Sequence, residues 1–254
     1  MKHPQRISIA HMSPDAPLYK EVRRHILQCL AEGEWKPGER LPTESALAER
    51  FGVAISTVRA GVGELTAAGV LIRRQGKGTF VSRHDPHSQG FRFSNIYNSK
   101  KQKVSTTREI VSMRKVRADR ETIALLALDG SSSSRVHRVN FISRIDAKPV
   151  GIMELILPVA LFPQLRQRDI EAMGDNLYSV YQRTFGVTVL RMEERVSART
   201  ANAAIAKTLN VCIGHPVLKV ERIAYTFKNV PVEIRRRTYE GLEQHYLFTH
   251  EALD

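Results

Sequence analysis

The first clear pattern in the chain is a four-residue spacing of apolar positions near the amino terminus. Leu18, Val22, Ile26 and Leu30 recur at this spacing, with mostly polar residues between them. The spacing predicts a helix with one buried face. Gly33 follows the last apolar position and predicts the end of this first helix.

Two shorter helices are predicted next. Pro42–Thr43 is a start signal for the second helix, Glu44 lies in its positive first turn, and Gly52 is its stop signal. The third helix is predicted over residues 56–68, and Gly69 closes it. A tight turn therefore joins the second and third helices. The apolar positions of the third helix are Val58, Val62 and Leu65.

Two glycines lie inside the third predicted helix. Gly61 and Gly63 stand where better helix formers are usual. Each is expected to cost roughly 1 kcal/mol of helix stability if its position faces solvent. The sequence alone offers no reason for that cost.

A two-stranded hairpin is predicted after the third helix. Residues 70–74 and 79–82 form short strands, and the "QGKG" between them supplies a glycine turn. The Gly-Lys pair is not a Walker phosphate loop, because Leu71 stands where that pattern needs its first glycine and Gly78 where it needs Ser or Thr. Three helices with a tight turn and a following hairpin predict a winged helix-turn-helix domain.

Polar side chains at the start of the third helix are candidates for contacts with base edges and phosphates in a major groove. They are Ser56, Thr57 and Arg59. Lys77 at the hairpin tip can reach a neighbouring minor groove or backbone, and the glycines on either side let the wing backbone come close. The predicted DNA-binding set is Thr43, Ser45, Ser56, Thr57, Arg59, Arg74, Lys77 and Thr79.

Composition divides the chain into parts. Residues 1–16 are polar and are predicted to be a disordered start, and residues 17–82 form the winged helix-turn-helix domain. Residues 83–92, "RHDPHSQGFR", are polar with Pro, Gly and Ser and no periodicity, so we predict a linker there. Residues 93–254 form a second domain.

Alternating apolar and polar residues predict two strand pairs in the second domain. Residues 131–163 alternate around "DAKP", and residues 215–241 repeat the pattern around "KNVP". Residues 176–186 and 200–211 between them have helical patterns. This order predicts an α/β domain with a mainly antiparallel sheet, and an α+β fold of two domains overall. The predicted inward-facing helical positions are Leu177, Val180, Tyr181, Ala203, Ala204 and Leu209.

The charge of the chain favours an anionic partner. Lys and Arg outnumber Asp and Glu by 39 to 26, which gives a net charge of +13. Nucleic acid is the first candidate, and a membrane surface is the competing one. Residues 100–120 hold eight basic and two acidic side chains. That segment is interpreted either as a supplementary contact to DNA phosphates or as the solvated face of a first strand.

The sequence also bears on the compartment. No run approaches ~18 apolar residues, and the amino terminus lacks the apolar core of a signal peptide, so we expect a cytoplasmic chain with no membrane partner. Cys29 and Cys212 lie in apolar surroundings without the spacing of a disulfide framework or a zinc site. We predict that both are buried free thiols, and that the chain holds no metal and no cofactor.

Four motifs of the first domain occur together in order: "PLYKEV", "GEWKPGERLPTESALAERFGV", "STVRAGVGELTAAGVL" and "RRQGKGTFV". They resemble the DNA-binding domain of GntR-type bacterial transcriptional regulators. The resemblance implies a homodimer that binds a palindromic operator in double-stranded DNA. In that family the third helix and the wing read the operator.

The first domain departs from the family pattern at three positions. Family members usually carry Arg after the Glu of "LP-x-E" and a Ser-Arg pair at the start of the third helix. Ser45, Ala54 and Ile55 stand at these positions. Arg can pair bidentately with guanine, for ~1–3 kcal/mol of discrimination, so we expect an operator that differs from the common half-site of the family.

The second domain carries "RIDAKPVGIMELILP", "NLYSVYQRTFGV", "IGHPVLKVERIAY" and "VPVEIRRRTYEG". These motifs are similar to the effector (UTRA) domain of HutC-type GntR regulators, whose fold is related to chorismate lyase. The resemblance implies a pocket for a small metabolite, in a domain that also dimerises. Its lining, carried over position by position, is Phe93, Ser94, Phe141, Ser143, Met153, Asn176, Tyr178, Glu233 and Tyr239. Core packing is the alternative interpretation for Phe93 and Phe141.

The pocket also departs from the family pattern. Members that bind sugar phosphates have Arg at the positions of Phe141 and Ser143 and Glu at that of Met153. An arginine pair makes charge-assisted contacts with phosphate, whereas Phe and Met supply apolar area. We therefore expect a partly apolar effector without a phosphate group. Glu233 and Tyr239 are the expected partners for an amine or a hydroxyl.

Two other function classes compete with a ligand-responsive repressor. An enzyme of chorismate lyase-like fold is disfavoured, because no catalytic triad order, paired carboxylate motif, metal-binding His spacing or nucleotide fingerprint occurs. His137 and His215 are interpreted as structural residues with satisfied hydrogen bonds. A ligand-independent architectural DNA-binding protein is the third class, and a thermal shift with small metabolites would separate it from a sensor.

Overall fold

The chain consists of two compact units, residues 1–85 and 86–254, each of which is described by itself. In unit 2 all strand pairs of the main sheet are antiparallel, which confirms the predicted α+β class. The computed structural model describes residues 17–82, 96–98, 106–131, 133–171, 177–241 and 244–246. The predicted disordered start and linker lie outside these residues.

Unit 1 begins with three helices whose ends follow local sequence signals. The hydroxyl of Thr43 accepts a hydrogen bond from the Ala46 amide at 3.2 Å and caps the second helix. Gly52 ends that helix with a left-handed φ of 67°. Leu18 is 40% exposed because it is the first residue of its helix, so the predicted buried face begins at Val22. The helices are α1 (Leu18–Ala31), α2 (Glu44–Phe51) and α3 (Ile55–Ala67).

The wing follows α3 as an antiparallel pair, β1 (Leu71–Arg74) and β2 (Gly78–Val81), as predicted. A segment before α2 extends this sheet, since the Leu41 amide donates to the Thr79 carbonyl at 2.8 Å and the Val81 amide to the Glu39 carbonyl at 2.9 Å. The hairpin is therefore fixed to the helical core at its base. The core residues of unit 1 include Val22, Ile26, Leu47, Phe51, Val58, Val62, Leu65 and Leu71.

The two glycines of α3 have different surroundings. A Cβ atom on Gly61 would lie 2.9 Å from the backbone carbonyl oxygen of Tyr19, so glycine allows α1 and α3 to approach closely. A Cβ atom on Gly63 would meet nothing within 4 Å. Packing therefore accounts for Gly61, whereas nothing in the structure explains Gly63.

Unit 2 is built on one six-stranded sheet with the strand order β4-β5-β6-β9-β8-β7. The turn of the first predicted hairpin is Asp146–Ala147, with φ values of 46° and 68°. A short pair, β3 with β10, forms a separate sheet. The strands are β3 (Ile96–Asn98), β4 (Thr107–Arg117), β5 (Arg135–Ile145), β6 (Lys148–Pro158), β7 (Arg191–Thr200), β8 (Pro216–Tyr225), β9 (Pro231–Glu240) and β10 (Gln244–Tyr246).

Helices cover both faces of this sheet. The larger cluster packs residues of α5 (Gln167–Glu171) and α6 (Leu177–Phe185) against Phe141, Met153 and Leu155. On the opposite face, Val136, Ile156 and Ile234 pack with residues around α4 (Arg120–Leu125). The helix α7 (Ala203–Leu209) packs on that face through Ala206 and Leu209.

Two burial predictions in unit 2 are wrong. Ala203 and Ala204 are exposed, because Asn202 caps the start of α7 and leaves the first turn outside the core. Cys212 is exposed as well, since it follows the left-handed end of α7 in a turn. Cys29 is buried as predicted, and burial raises the pKa of its thiol to about 11.

The basic segment near the start of the second domain contains β4, which pairs, among the described strands, only with β5 and is an edge strand of the six-stranded sheet. Its residues alternate between exposed and half-buried positions over most of its length. This confirms the predicted first strand. A supplementary contact of the same segment with DNA stays a prediction.

Candidate DNA-binding interface and effector site

The first turn of α3 presents the predicted base-reading residues. Ser56 and Arg59 are exposed and Thr57 is half-buried, while Val58 anchors the turn in the core. The Thr57 amide donates to the Ala54 carbonyl at 3.0 Å. The helix α3 therefore packs one face into the core and carries polar side chains on its open surface.

The wing presents a second basic surface. Lys77 at its tip is exposed, and its amide donates to the Arg74 carbonyl at 2.9 Å. The guanidinium of Arg74 lies 5.0 Å from the ring centroid of Phe80. Gly78 has a φ of 104°, which favours glycine, and Arg40 packs against it. The wing tip is therefore a tight turn surrounded by cations.

A cleft of about 390 Å³ lies between the wing and the start of α2. Three predicted DNA-binding residues line it, Thr43, Arg74 and Thr79. The Thr43 hydroxyl also caps α2, so this residue has a structural role whatever it contacts. Ser45 lies in the first turn of α2 and is exposed. Arg40, Arg73 and Glu44 also line the cleft, and sequence patterns did not single them out as DNA contacts.

One carboxylate connects α3, the predicted DNA-recognition helix, to the wing. Glu44 accepts a hydrogen bond from Nε of Arg59 at 2.9 Å, and its other oxygen accepts one from Arg73 at 2.9 Å. The start of α3 and the first wing strand therefore lie at the same end of unit 1. The sequence signal that could have found this contact is the pair of adjacent arginines, Arg73 and Arg74, at the end of β1.

In unit 2, five predicted effector residues come to one face of the sheet. Phe141 pairs with Met153, and Ser143 and Tyr239 both pair with Gly151. Glu233 shares this face because it lies an even number of residues from Tyr239 on the same strand. All five side chains are buried. Whether they contact an effector stays a prediction.

The carboxylate of Glu233 is fully engaged inside the protein. It accepts hydrogen bonds from the hydroxyls of Tyr178 at 3.3 Å and Tyr181 at 2.8 Å, and from Arg235 at 2.7 Å. Burial, and then the nearby Glu233 charge, raise the pKa of Tyr181 well above its usual value. Glu233 therefore ties α6 to the sheet, and an effector would have to share it with three internal donors.

A second buried ionic cluster lies beside the first. Glu194 on β7 accepts a hydrogen bond from Nε of Arg222 at 2.6 Å and another from Arg237. Arg222, Arg235 and Arg237 are all buried. Sequence reasoning missed this cluster, although three consecutive arginines within a predicted strand, "RRR", imply that alternate side chains share one face.

A cavity of about 500 Å³ opens next to Phe141. Its apolar lining comes from Phe141, Ile110, Ile170 and Leu177. Its polar lining residues include Glu109 and Glu171. Glu109 lies opposite Ile142 on the neighbouring strand, so its side chain is on the other face of the sheet from Phe141. Glu109 accepts a hydrogen bond from Arg144 at 3.3 Å, and Glu171 accepts one from Gln167 at 2.7 Å. The remaining polar lining residues are Thr106 and Arg108.

Three predicted effector residues, Phe93, Ser94 and Asn176, lie outside the described residues. Both histidines that were interpreted as structural have hydrogen bonds. His137 contacts the Phe162 carbonyl at 2.8 Å, and His215 contacts Glu240 at 2.6 Å. In the described part of the chain, no helix is long and apolar enough to cross a membrane, and no cluster of His, Cys, Asp or Glu is arranged for a metal.

Comparison with known proteins gives both regions a family. Residues 18–81 match the bacterial regulatory proteins of the gntR family, and residues 101–243 match the UTRA domain. The chain is 29% identical over 208 residues to the mannosyl-D-glycerate transport/metabolism system repressor MngR of Escherichia coli (strain K12), covering 81% of this chain and 85% of that one. It is 28% identical over 229 residues to the histidine utilization repressor of Pseudomonas putida, covering 89% of each.

A solved structure is similar to the second domain. It is described as the ligand-binding domain of a GntR-family transcriptional regulator from Bordetella bronchiseptica. It superposes with a TM-score of 0.57 at 28% identity, over 63% of this chain and 99% of that chain. The chain belongs to the gntR family of bacterial regulatory proteins, carries a UTRA domain, and is a ligand-responsive DNA-binding transcriptional regulator rather than an enzyme.

Proposed function

We propose that the chain is a cytoplasmic, homodimeric repressor that leaves a pseudo-palindromic operator when a small metabolite binds its second domain. The observation that supports DNA binding is the contact that Arg59 and Arg73 share with Glu44, because it sets α3 beside the wing. A dimer is proposed because one such domain contacts too few base pairs for typical operator specificity. A complex with a single chain on the full operator would contradict the dimer.

In this proposal each predicted DNA contact has a role. Arg59, with Ser56 and Thr57, reads base edges, since these residues lie on the open first turn of α3. Lys77 contacts a phosphate from the wing tip. The supporting contacts to the sugar-phosphate backbone come from Thr43, Ser45, Arg74 and Thr79.

Two alanine substitutions test these roles. Arg59→Ala should weaken binding to the operator more than binding to random duplex DNA, because it removes a base contact. Lys77→Ala should weaken both and reduce the slope of log affinity against log salt by about one. An equal loss on both duplexes for Arg59→Ala would remove its assignment as a base reader.

For the effector, we propose a ligand without a phosphate group that uses the cavity beside Phe141. The lining residues Arg108 and Glu171 carry opposite charges, which disfavours a dianionic phosphate, and the apolar residues favour a partly apolar ligand. Met153 extends the apolar surface, and Glu233 or Tyr239 would meet an amine or a hydroxyl. Relatives named for mannosyl-D-glycerate and for histidine utilization support a small metabolite as the class of effector.

A thermal-shift screen tests the effector proposal. The panel should contain sugars, sugar phosphates and amino acids, and each hit should then be tested for release of operator DNA. Phe141→Ala should weaken binding of the best hit and leave ligand-free operator affinity nearly unchanged. Ile142→Ala is the matched control, because Ile142 is the next residue on β5 and faces the opposite side of the sheet. A sugar phosphate as the best inducer, or unchanged ligand affinity in Phe141→Ala, would contradict the proposal.

The two binding events should oppose each other. If the effector and the operator favour different arrangements of the dimer, each lowers the affinity for the other by the same coupling free energy, typically ~1–3 kcal/mol. The predicted linker, residues 83–92, is the proposed hinge. Measuring effector affinity with and without saturating operator DNA tests this reciprocity.

A further inference from the structure

Glu44 lies where the helix-turn-helix meets the wing. It is the first residue of α2, where the positive end of a helix favours a negative side chain. Its two oxygens hold two different arginines, Arg59 from α3 and Arg73 from β1. The side chain of Glu44 is only 26% exposed, whereas that of Arg59 is 65% exposed.

A carboxylate on this surface needs an explanation. Exposed ion pairs contribute little to stability, because water and salt screen them. A negative charge also repels the phosphates of DNA and so opposes non-specific binding. Neither effect explains why both oxygens of Glu44 are aimed at arginines on the two DNA-binding elements.

The geometry of the Arg59 contact offers a reason. Only the Nε–H of Arg59 is directed at Glu44. The two terminal amino groups carry the other four N–H donors of a guanidinium, in the fork that matches two acceptors of guanine. Holding a long side chain in one orientation before binding lowers the entropy lost when it contacts a base.

We propose that Glu44 is a positioning residue for operator recognition, which orients Arg59 toward the base edges and ties it to the wing through Arg73. This inference rests on the proposed role of Arg59 as a base reader. Glu44 thereby makes binding selective in two ways. It prepares the specific contact, and it restrains two cations that would otherwise bind any phosphate.

A double-mutant cycle tests the proposal. The wild type, Glu44→Gln, Arg59→Ala and the double variant are measured by fluorescence anisotropy at several salt concentrations. The specific probe is the best duplex that the wild type recovers from a random-sequence pool, and the reference is a shuffled duplex of the same composition. Glu44→Gln should lower the specific-to-shuffled affinity ratio roughly tenfold, the scale of one impaired bidentate contact. Binding to the shuffled duplex should strengthen, with a salt slope steeper by about one.

In the Arg59→Ala background, Glu44→Gln should change both affinities by the same factor, because the side chain that it positions is absent. Glu49→Gln is the matched control, since Glu49 is an exposed carboxylate on the same helix. It should leave the affinity ratio unchanged. A cooperative thermal unfolding transition in each variant, well above the assay temperature, establishes that all are folded.

The outcomes separate the two proposals. If Arg59→Ala lowers the ratio but Glu44→Gln strengthens binding to both duplexes equally, Glu44 acts only as a repulsive charge and the positioning role is overturned. The same conclusion follows if Glu44→Gln lowers the ratio equally with and without Arg59. If Arg59→Ala leaves the ratio unchanged, the proposed base reader is wrong, and the positioning role that depends on it is wrong as well.

Discussion

Two of the clusters in which a glutamate binds arginine have different surroundings, one around Glu44 and one around Glu233. In the first domain Glu44 holds Arg59 and Arg73 at the surface, with half or more of the Arg59 side chain open to water. In the second domain Glu233 holds Arg235 in the core, where neither residue is more than 1% exposed. The chemistry of the contact is the same, and the consequences of breaking it are not.

Burial decides the difference. A charge removed from water must be matched by other charges and hydrogen bonds, and Glu233 accordingly has three donors around it. A surface charge is solvated whether or not its partner is present. The buried cluster is therefore part of the framework that holds α6 on the sheet, whereas the exposed cluster can change partners when DNA arrives.

The largest expected effect is at the buried cluster. Glu233→Gln leaves the charge of Arg235 uncompensated in the core, and breaking a buried pair in this way typically costs about 3–5 kcal/mol of unfolding free energy. Urea denaturation monitored by circular dichroism measures this loss of unfolding free energy. Glu109→Gln, at an exposed position of the same domain, is the control and should change stability by less than about 1 kcal/mol. A small loss at Glu233 would mean that water reaches Arg235.

The buried cluster should also make the protein sensitive to alkali. Burial raises the pKa of both Tyr178 and Tyr181, and the charge of Glu233 raises them further. Above pH 10, the unfolded chain loses these protons while the folded chain retains them. The contribution of these two tyrosines to stability should therefore be constant below the usual tyrosine pKa and should fall above it, by about 1.4 kcal/mol per pH unit for each tyrosine.

Tyr181→Phe tests this assignment, because it removes one of the two titrating groups from the cluster. The slope of unfolding free energy against pH, measured between pH 9 and pH 11, should become shallower in this variant. The half-buried Tyr225 is the control, and Tyr225→Phe should have a smaller effect. An unchanged slope in Tyr181→Phe would show that alkaline unfolding arises elsewhere.

The contrast between the clusters also explains what could be predicted from the sequence. The bounds of α2 follow from Thr43 and Gly52, which act within one turn of their own positions. The wing follows from a short hairpin with a glycine turn. These signals act between residues that are close in the sequence, so they can be recognised in the sequence itself. The fold class of both domains was predicted from patterns of this kind.

Contacts between distant segments were not predictable in the same way. Glu233 meets Tyr178 only because α6 packs on β9, and Glu194 meets Arg237 across β8. The resemblance to known effector domains grouped Phe141 with Glu233, and the two residues share one face of the sheet. It did not indicate that Glu233 is bound by three internal donors. In α7 the predicted inward position Leu209 is buried, whereas Ala203 and Ala204 are exposed, because the cap at Asn202 places both alanines in the first turn.

The two glycines of α3 allow a closely packed position and an open position to be compared by substitutions that change no charge. Gly61→Ala places a methyl group 2.9 Å from the Tyr19 carbonyl, and forcing α1 and α3 apart should cost about 1–3 kcal/mol. Gly63→Ala adds a methyl group in open space and should stabilise the protein by about 0.5–1 kcal/mol. Chemical denaturation of the two variants compares them directly. Similar effects of the two substitutions would contradict the close packing at Gly61.

The smallest expected effect is at the exposed cluster. Glu44→Gln removes two surface ion pairs and a favourable charge in the first turn of α2, so it should cost no more than about 1 kcal/mol of unfolding free energy. The loss should shrink between 0.05 M and 1 M salt, because exposed pairs are screened. Glu49→Gln on the same helix gives the reference value for removing one exposed carboxylate. A loss of several kcal/mol of unfolding free energy that salt does not reduce would show that Glu44, like Glu233, is needed to hold its domain together. Any change in DNA recognition would then follow from a destabilised domain rather than from a misaligned Arg59.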